Sequence, residues 1–195
     1  MWHAKAIGAY AQDSQEALDN MQEMANLLTA RGWTLNAVAA VAGNIGGEGG
    51  YNPWRWQSDR VPSINDSPWT NRGYGLVQFT PGGKYINAAQ SYPGYGPNFS
   101  DQSGLATDGQ AQVIFVDEHA DYYATSSYPL SYAEFKASTL DTDYLTAAWM
   151  HNYERPGSYD TLPGRQAAAA YWYTVLTGGG STLPRWLIAI LAKRR

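Results

Sequence analysis

The chain contains no cysteine, which removes disulfide stapling, thiolate nucleophiles and cysteine-ligated metal sites together. Its three histidines, His3, His119 and His151, form neither an HxH nor an HExxH arrangement, so a histidine-ligated zinc hydrolase lacks its ligands. Neither a GxSxG nucleophile turn nor a GxxxxGK phosphate loop occurs. The one metal-like grouping, Asp117, Glu118, His119 and Asp121, lies almost consecutively on an expected helix and cannot converge on a single ion. Charge is sparse at 15% of residues, and a net charge of −4 without a basic stripe gives nucleic-acid binding no electrostatic support. Met1 to Lys5 is not followed by an apolar stretch, so no signal peptide is expected. A transmembrane segment is not expected either. The mostly apolar run Leu183 to Ala192, which closes in Lys193-Arg194-Arg195, falls short of the about 20 residues a span requires. It reads as a docking peptide or a packed flap before an interfacial anchor.

What the chain has is enough apolar residues, 44% of 195, for one domain with a real core. It also has an unusual set of aromatics, 8 Trp and 15 Tyr against only 4 Phe. Tyr and Trp combine a flat apolar face with a polar edge, which suits a wet groove for a sugar chain; Tyr51, Trp54 and Tyr74 are the candidates near the motifs described below. Residues 1–13 read as a lead-in, 14–177 as the folded domain, and 178–195 as a glycine-rich linker and tail. A helix is expected from Ser14 to Ala30 and ends at Arg31-Gly32, with Thr34 capping the next. Residues 49–70 are loop-like, with Trp54, Trp56 and Trp69 interspersed. Tyr74 to Thr80 reads as a strand, followed by a short helix over 84–91. A second turn-rich stretch covers 92–108. Helices are then expected over 109–124, over 131–151 with a break near 138–140, and over 164–177. The expected class is α+β, mostly helical, with one small β region.

The second helix carries the most informative residue. Leu35, Val38, Ala42 and Ile45 recur at helical spacing, and Glu48 falls three residues after Ile45 on the same stripe. A carboxyl at the buried end of a helix loses hydration, which disfavours its charged form and suits a general acid. Gly46, Gly47, Gly49 and Gly50 around it are expected to leave open space for a bulky substrate. Twenty-five residues on comes Gly73-Tyr74-Gly75-Leu76-Val77-Gln78-Phe79-Thr80-Pro81. Gly73 and Gly75 would admit close backbone approach to a ligand. Gln78 and Thr80, two apart on a strand, would face the same side, where they can hydrogen-bond a sugar or position a water.

Three segments in order, Asn44 to Pro53, Gly73 to Pro81, and Trp149-Met150-His151-Asn152-Tyr153-Glu154-Arg155-Pro156-Gly157, resemble the motifs of the phage tail lysozyme family, muralytic domains of phage tail tips with a lysozyme-like fold. In that family a Glu-Ser-Gly-Phe-Asn-Pro type helix end carries the catalytic acid, and Gly-Tyr-Gly-Leu-x-Gln-Trp-Thr and Phe-Glu-Arg-Pro type segments complete the cleft. The resemblance covers about residues 15–177. It matches Glu48 to the acid; Gly73, Gly75, Gln78 and Thr80 to the middle motif; Glu154, Arg155 and Pro156 to the last; and Arg165 to an arginine often found on the following helix. Gly49 stands for Ser, Phe79 for Trp and Tyr153 for Phe, and none of these departures removes an ionisable group.

The resemblance implies a muramidase cleaving the β-1,4 bond between N-acetylmuramic acid and N-acetylglucosamine. It would act from a virion or as a released lysin, without a cofactor, and the C-terminal run could dock to tail proteins. Glu154 is expected either at the substrate or, with more weight, holding loops together through Arg165 or Arg72. The second catalytic group stays open among Asp59, Thr80 and Asp66, in that order. A carboxylate pair about 6.5–9.5 Å apart would mean inversion and one near 5 Å retention. With no carboxylate in reach, a lytic transglycosylase, closing an anhydro ring with the substrate's own hydroxyl, is the alternative. A chitinase-like enzyme and a non-catalytic wall-binding module are the remaining readings.

Overall fold

The computed structural model describes residues 1–5, 8–59, 72–95 and 108–178. Asp66, Trp69, most of the second turn-rich stretch and the C-terminal run lie outside the described residues. Helix α1 (Gln15–Thr29) starts where its cap requires: Ser14 is extended and its hydroxyl accepts the Ala17 N–H at 3.2 Å, satisfying an amide that has no partner within the helix. Thr34 does the same for α2 (Leu35–Glu48), accepting from Ala37 at 3.2 Å. There follow α3 (Gly83–Ala88), α4 (Asp108–His119), α5 (Tyr132–Ala137), α6 (Thr142–Trp149) and α7 (Leu162–Leu176). The expected break near 138–140 is present. Ser138 leaves α5 in extended backbone, and Asp141 caps α6 by accepting from the Tyr144 N–H at 2.8 Å. A π turn, Met150–Glu154, continues α6 and ends at Arg155 in left-handed backbone with φ +49°. No helix among the described residues is long and apolar enough to cross a membrane.

α2 is the centre of the molecule. Its sequence pattern reads as a stripe, yet every residue from Ala37 to Ile45 is buried. A helix apolar on all sides must be surrounded, and α1, α5, α6 and α7 all pack against it. Small residues set how closely. A Cβ on Gly43 would lie 2.5 Å from the Arg165 carbonyl oxygen and 2.8 Å from the Ala169 Cβ. The same test narrows the expected open space around Glu48. A side chain at Gly46, Gly47, Gly49 or Gly50 would meet, respectively, the Tyr51 hydroxyl, the Arg165 guanidinium, the Leu76 carbonyl or Ala9. At Cβ distance these glycines face protein; Gly46, Gly47 and Gly50 also line a depression of about 400 Å³, but Glu48 does not border it.

The expected strand is also corrected. Every regular element among the described residues is helical, and the β pairing consists of two isolated antiparallel bridges, Trp56 with Tyr74 and Tyr74 with Phe79. Gly75 at φ +83° and Gln78 at φ +47° fold the segment back on itself, so that the Phe79 N–H donates to the Tyr74 carbonyl at 2.8 Å. The segment is a tight loop, and strand alternation does not govern which way Gln78 and Thr80 point. The aromatics expected at the substrate lie in the core instead: Tyr51, Trp54 and Tyr74 are all buried. The Tyr51 hydroxyl accepts from the Trp172 indole at 3.1 Å, and the Tyr74 ring packs 4.4 Å from that of Trp56.

Replacing Gly43 by Ala is expected to push α2 and α7 apart and cost about 1–3 kcal/mol, or roughly 2–4 °C of melting temperature per kcal/mol. Gly164, in the first turn of α7, has open space where a Cβ would stand, and Gly164→Ala is expected to be neutral or stabilising. Thermal unfolding followed by circular dichroism distinguishes the two.

Candidate active site

Glu48 closes α2 with its side chain 28% exposed, so it opens onto the surface and is not sealed in the core. Its Oε1 accepts from Arg165 Nη2 at 2.5 Å. Arg165, in the first turn of α7, is only 7% exposed, and a buried guanidinium needs acceptors for its donors. Nη1 donates to Glu154 Oε2 and, at 3.1 Å, to Asn44 Oδ1; Nε donates to Thr161 Oγ1 at 3.2 Å. Asn44 is itself fixed, its amide donating to the carbonyls of Ala40 at 3.0 Å and Thr146 at 3.2 Å. Glu154 therefore meets Arg165, not Arg72, and is 7% exposed. Burial pushes its carboxyl up to about 8; Arg165 opposes the rise, while Glu48 adds to it by charge and by a hydrogen bond.

Two depressions meet at Glu48. The larger, about 840 Å³, is lined by Glu48, Gln78, Thr80, Tyr153 and Glu154, with Lys84, His119, Asp121 and Arg155 further along. The smaller, about 210 Å³, is bounded by Glu48, Arg55, Gln57, Gln78 and Thr80. The first is of a size that holds ligands. Gln78 and Thr80 thus reach both depressions, as the sequence reading wanted, but through the tight loop. The left-handed backbone of Gln78 is a conformation side chains disfavour. It is held by the residue's own amide, which donates to the carbonyls of Gly75 at 2.9 Å and Arg55 at 3.0 Å. Thr80 Oγ1 donates to the Gln78 carbonyl at 2.8 Å.

The loop rests on a buried network invisible in the motifs. Asp108 accepts from the hydroxyls of Tyr74 at 2.5 Å and Tyr85 at 2.6 Å, and from the Gln112 amide at 2.7 Å. Burial, reinforced by Asp108, raises both tyrosine hydroxyls and keeps them as donors. Gln112 Oε1 then accepts the Leu76 N–H at 2.8 Å. A Cβ on Gly75 would stand 2.4 Å from that same oxygen. The close approach that Gly75 permits is therefore to Gln112, and not to a ligand.

Asp59, ranked first as the second catalytic group, lines neither depression. It sits in the turn Gln57–Asp59, takes Arg55 Nε at 2.7 Å, and accepts the Gly8 N–H at 3.0 Å. Oδ1 thus ties the N-terminal segment to the loop, while Oδ2 accepts from Arg55 Nη2 at 3.2 Å. Residues that sequence reasoning passed over are Asn44, Asp108, Gln112 and Thr161. Asn44 stands inside the first quoted motif, and a polar side chain within an otherwise apolar helix was the available signal. Asp108 and Gln112 act on partners far away in the chain and left none; Thr161 meets Arg165 four residues on, but only the burial of that arginine makes the contact matter.

Two outcomes follow. Gln112→Ala removes the acceptor for Leu76 and a donor to Asp108, and should destabilise by about 1–3 kcal/mol per group left unpaired, read by chemical denaturation. Glu154 holds its proton in the folded state at pH values where the unfolded chain, near 4.5, has lost it. Its contribution is full below about 4.5 and is lost as pH rises through about 8. The wild type should therefore lose melting temperature across that window relative to Glu154→Gln.

A family model described as phage tail lysozyme matches residues 19–176. Morphogenesis protein 1 of Bacillus phage B103 is 33% identical over 171 residues, which cover 86% of this chain and 42% of that protein. The chain thus spans less than half the length of that curated relative. With a helix-end glutamate, the glycine-bounded loop facing it and the Glu-Arg-Pro turn all lying within the matched residues, the chain belongs to the phage tail lysozyme family.

Proposed function

We propose that this chain is a peptidoglycan-degrading glycosidase domain, cutting between N-acetylmuramic acid and N-acetylglucosamine with Glu48 as general acid. The observation that carries the reading is the position of Glu48: a half-open carboxyl where two depressions meet, anchored on its inner side by Arg165. A glycan strand crossing that junction would fill both depressions and bring a glycosidic oxygen to the carboxyl, which is where a leaving-group proton is needed. Kinship with a phage morphogenesis protein supports action from a virion, with the glycan strand of the cell wall as its partner. Docking of residues 183–192 to tail proteins remains part of the proposal.

For the second group we favour Thr80 over Asp59. Thr80 borders both depressions beside Glu48 and is suited to hold a water beneath the sugar, whereas the oxygens of Asp59 are occupied. A second reading has its own support. Among the described residues lining the larger depression, the acids besides Glu48 are Asp121 and Glu154, and each is already paired with a cation. A lytic transglycosylase needs no carboxylate across the sugar, because a substrate hydroxyl attacks the same carbon and closes an anhydro ring.

Turbidity loss of purified cell walls, with product ends analysed by mass spectrometry, tests this. Glu48→Gln should lower the rate about 10²–10⁴-fold, the usual weight of a general acid. Reducing muramic ends would identify the hydrolase and anhydro ends the transglycosylase. Thr80→Val should depress only the hydrolytic product. Turnover of chitin oligomers but not walls would point to a chitinase-like enzyme. Wall binding without lysis, unaltered by Glu48→Gln, would leave a binding module.

A further inference from the structure

A general acid must carry a proton, and Glu48 lies 2.5 Å from a buried arginine. The same guanidinium also holds Glu154, and the two carboxyls reach it from different elements, one from the end of α2 and one from the π turn. With both acids ionised, the three groups carry one net negative charge in a place where two of them are nearly sealed from water. With one proton among them the set is neutral, the state that poor hydration favours.

We propose that Glu48 and Glu154 hold one proton in common across Arg165 at neutral pH, with Glu154 a positioning residue that keeps this proton available to Glu48. The inference rests on Glu48 being the acid. The proton passes from Glu48 to the glycosidic oxygen as the bond from C1 to that oxygen breaks and its electron pair leaves with the oxygen. Glu48, now a carboxylate, is paired with Arg165, and the water that adds to C1 returns one proton to the pair. The other titratable or charged groups facing the two carboxyls are Tyr153 on the same turn, Lys84, His119, Asp121 and Arg155 along the larger depression, and Arg55 in the smaller. Lys84 and Arg155 both contact Asp121, at 3.7 and 3.4 Å, so their charges are partly offset locally. The raised carboxyl of Glu154 is consistent with a proton retained there. Two interacting acids of this kind titrate as a pair in two steps.

The experiment is the pH profile of wall lysis for wild type, Glu154→Gln and Glu154→Asp, with carbon-13 NMR titration of the glutamate carboxyls in the wild type. Removing Glu154 leaves the Arg165 charge unopposed on Glu48. The alkaline limb of the Glu154→Gln profile should therefore move to lower pH by about one unit or more, about a tenfold loss at neutral pH, and Glu154→Asp should recover part of the shift. In the NMR titration the two carboxyls should show linked, two-step behaviour. A uniform loss of rate with an unmoved limb would mean a merely structural Glu154 and overturn the proposal. So would two independent single-step titrations, a result that does not depend on any variant folding. If Glu48→Gln lyses walls as well as the wild type, the underlying assignment of the acid fails, and the NMR titration still decides whether the proton is shared.

Discussion

Arg165 is the constraint around which the site is organised. Its guanidinium lies among the packed helices, where a cation is tolerated only with its donors satisfied, and four acceptors come from three places: Asn44 and Glu48 on α2, Glu154 on the π turn, and Thr161 before α7. Each of these elements is fixed to the others by what the arginine requires. The close contact of α2 with α7, possible because Gly43 and Gly47 present no side chain to it, brings the arginine within reach. The π turn at the end of α6 then directs Glu154 back toward the arginine.

The facing wall is built on the opposite principle. A buried acid, Asp108, gathers two tyrosine hydroxyls and the Gln112 amide, and Gln112 holds the loop through the Leu76 amide. Cleft geometry thus depends on two polar clusters, one centred on a buried cation and one on a buried acid, each satisfied from several elements. Such clusters are costly to leave half-made. They restrain the loop carrying Gln78 and Thr80 against the helix end carrying Glu48.

Much of the helical frame was legible in the sequence, because its signals are local. Ser14 and Thr34 cap the helices they precede, Gly32 follows the end of the first with φ +88°, and the break between α5 and α6 falls near 138–140. The small β region was misread because alternation of Tyr74, Leu76, Gln78 and Thr80 imitates a strand, whereas the left-handed backbone of Gln78 is decided by hydrogen bonds to Arg55 and Gly75. Tyr51, Trp54 and Tyr74 were misplaced for a related reason: an aromatic near a motif can face ligand or core, and composition does not tell them apart.

The sequence by itself determined which chemical groups are available and in what order: a helix-end Glu48, the glycine-bounded segment with Gln78 and Thr80, and Glu154 ahead of Arg155 and Pro156, on a chain without thiols. Capping and periodicity act over a few residues, so they survive reading one residue at a time. The tertiary structure alone decided which of those groups meet. It joined Glu48 to Glu154 through Arg165 across more than a hundred residues of chain, turned Asp59 away to Arg55 and Gly8, and set Tyr51, Arg165, Leu76 and Ala9 against the glycines around Glu48. Those outcomes follow from packing distance and from the need of buried charges for partners, and both are properties of neighbours in space.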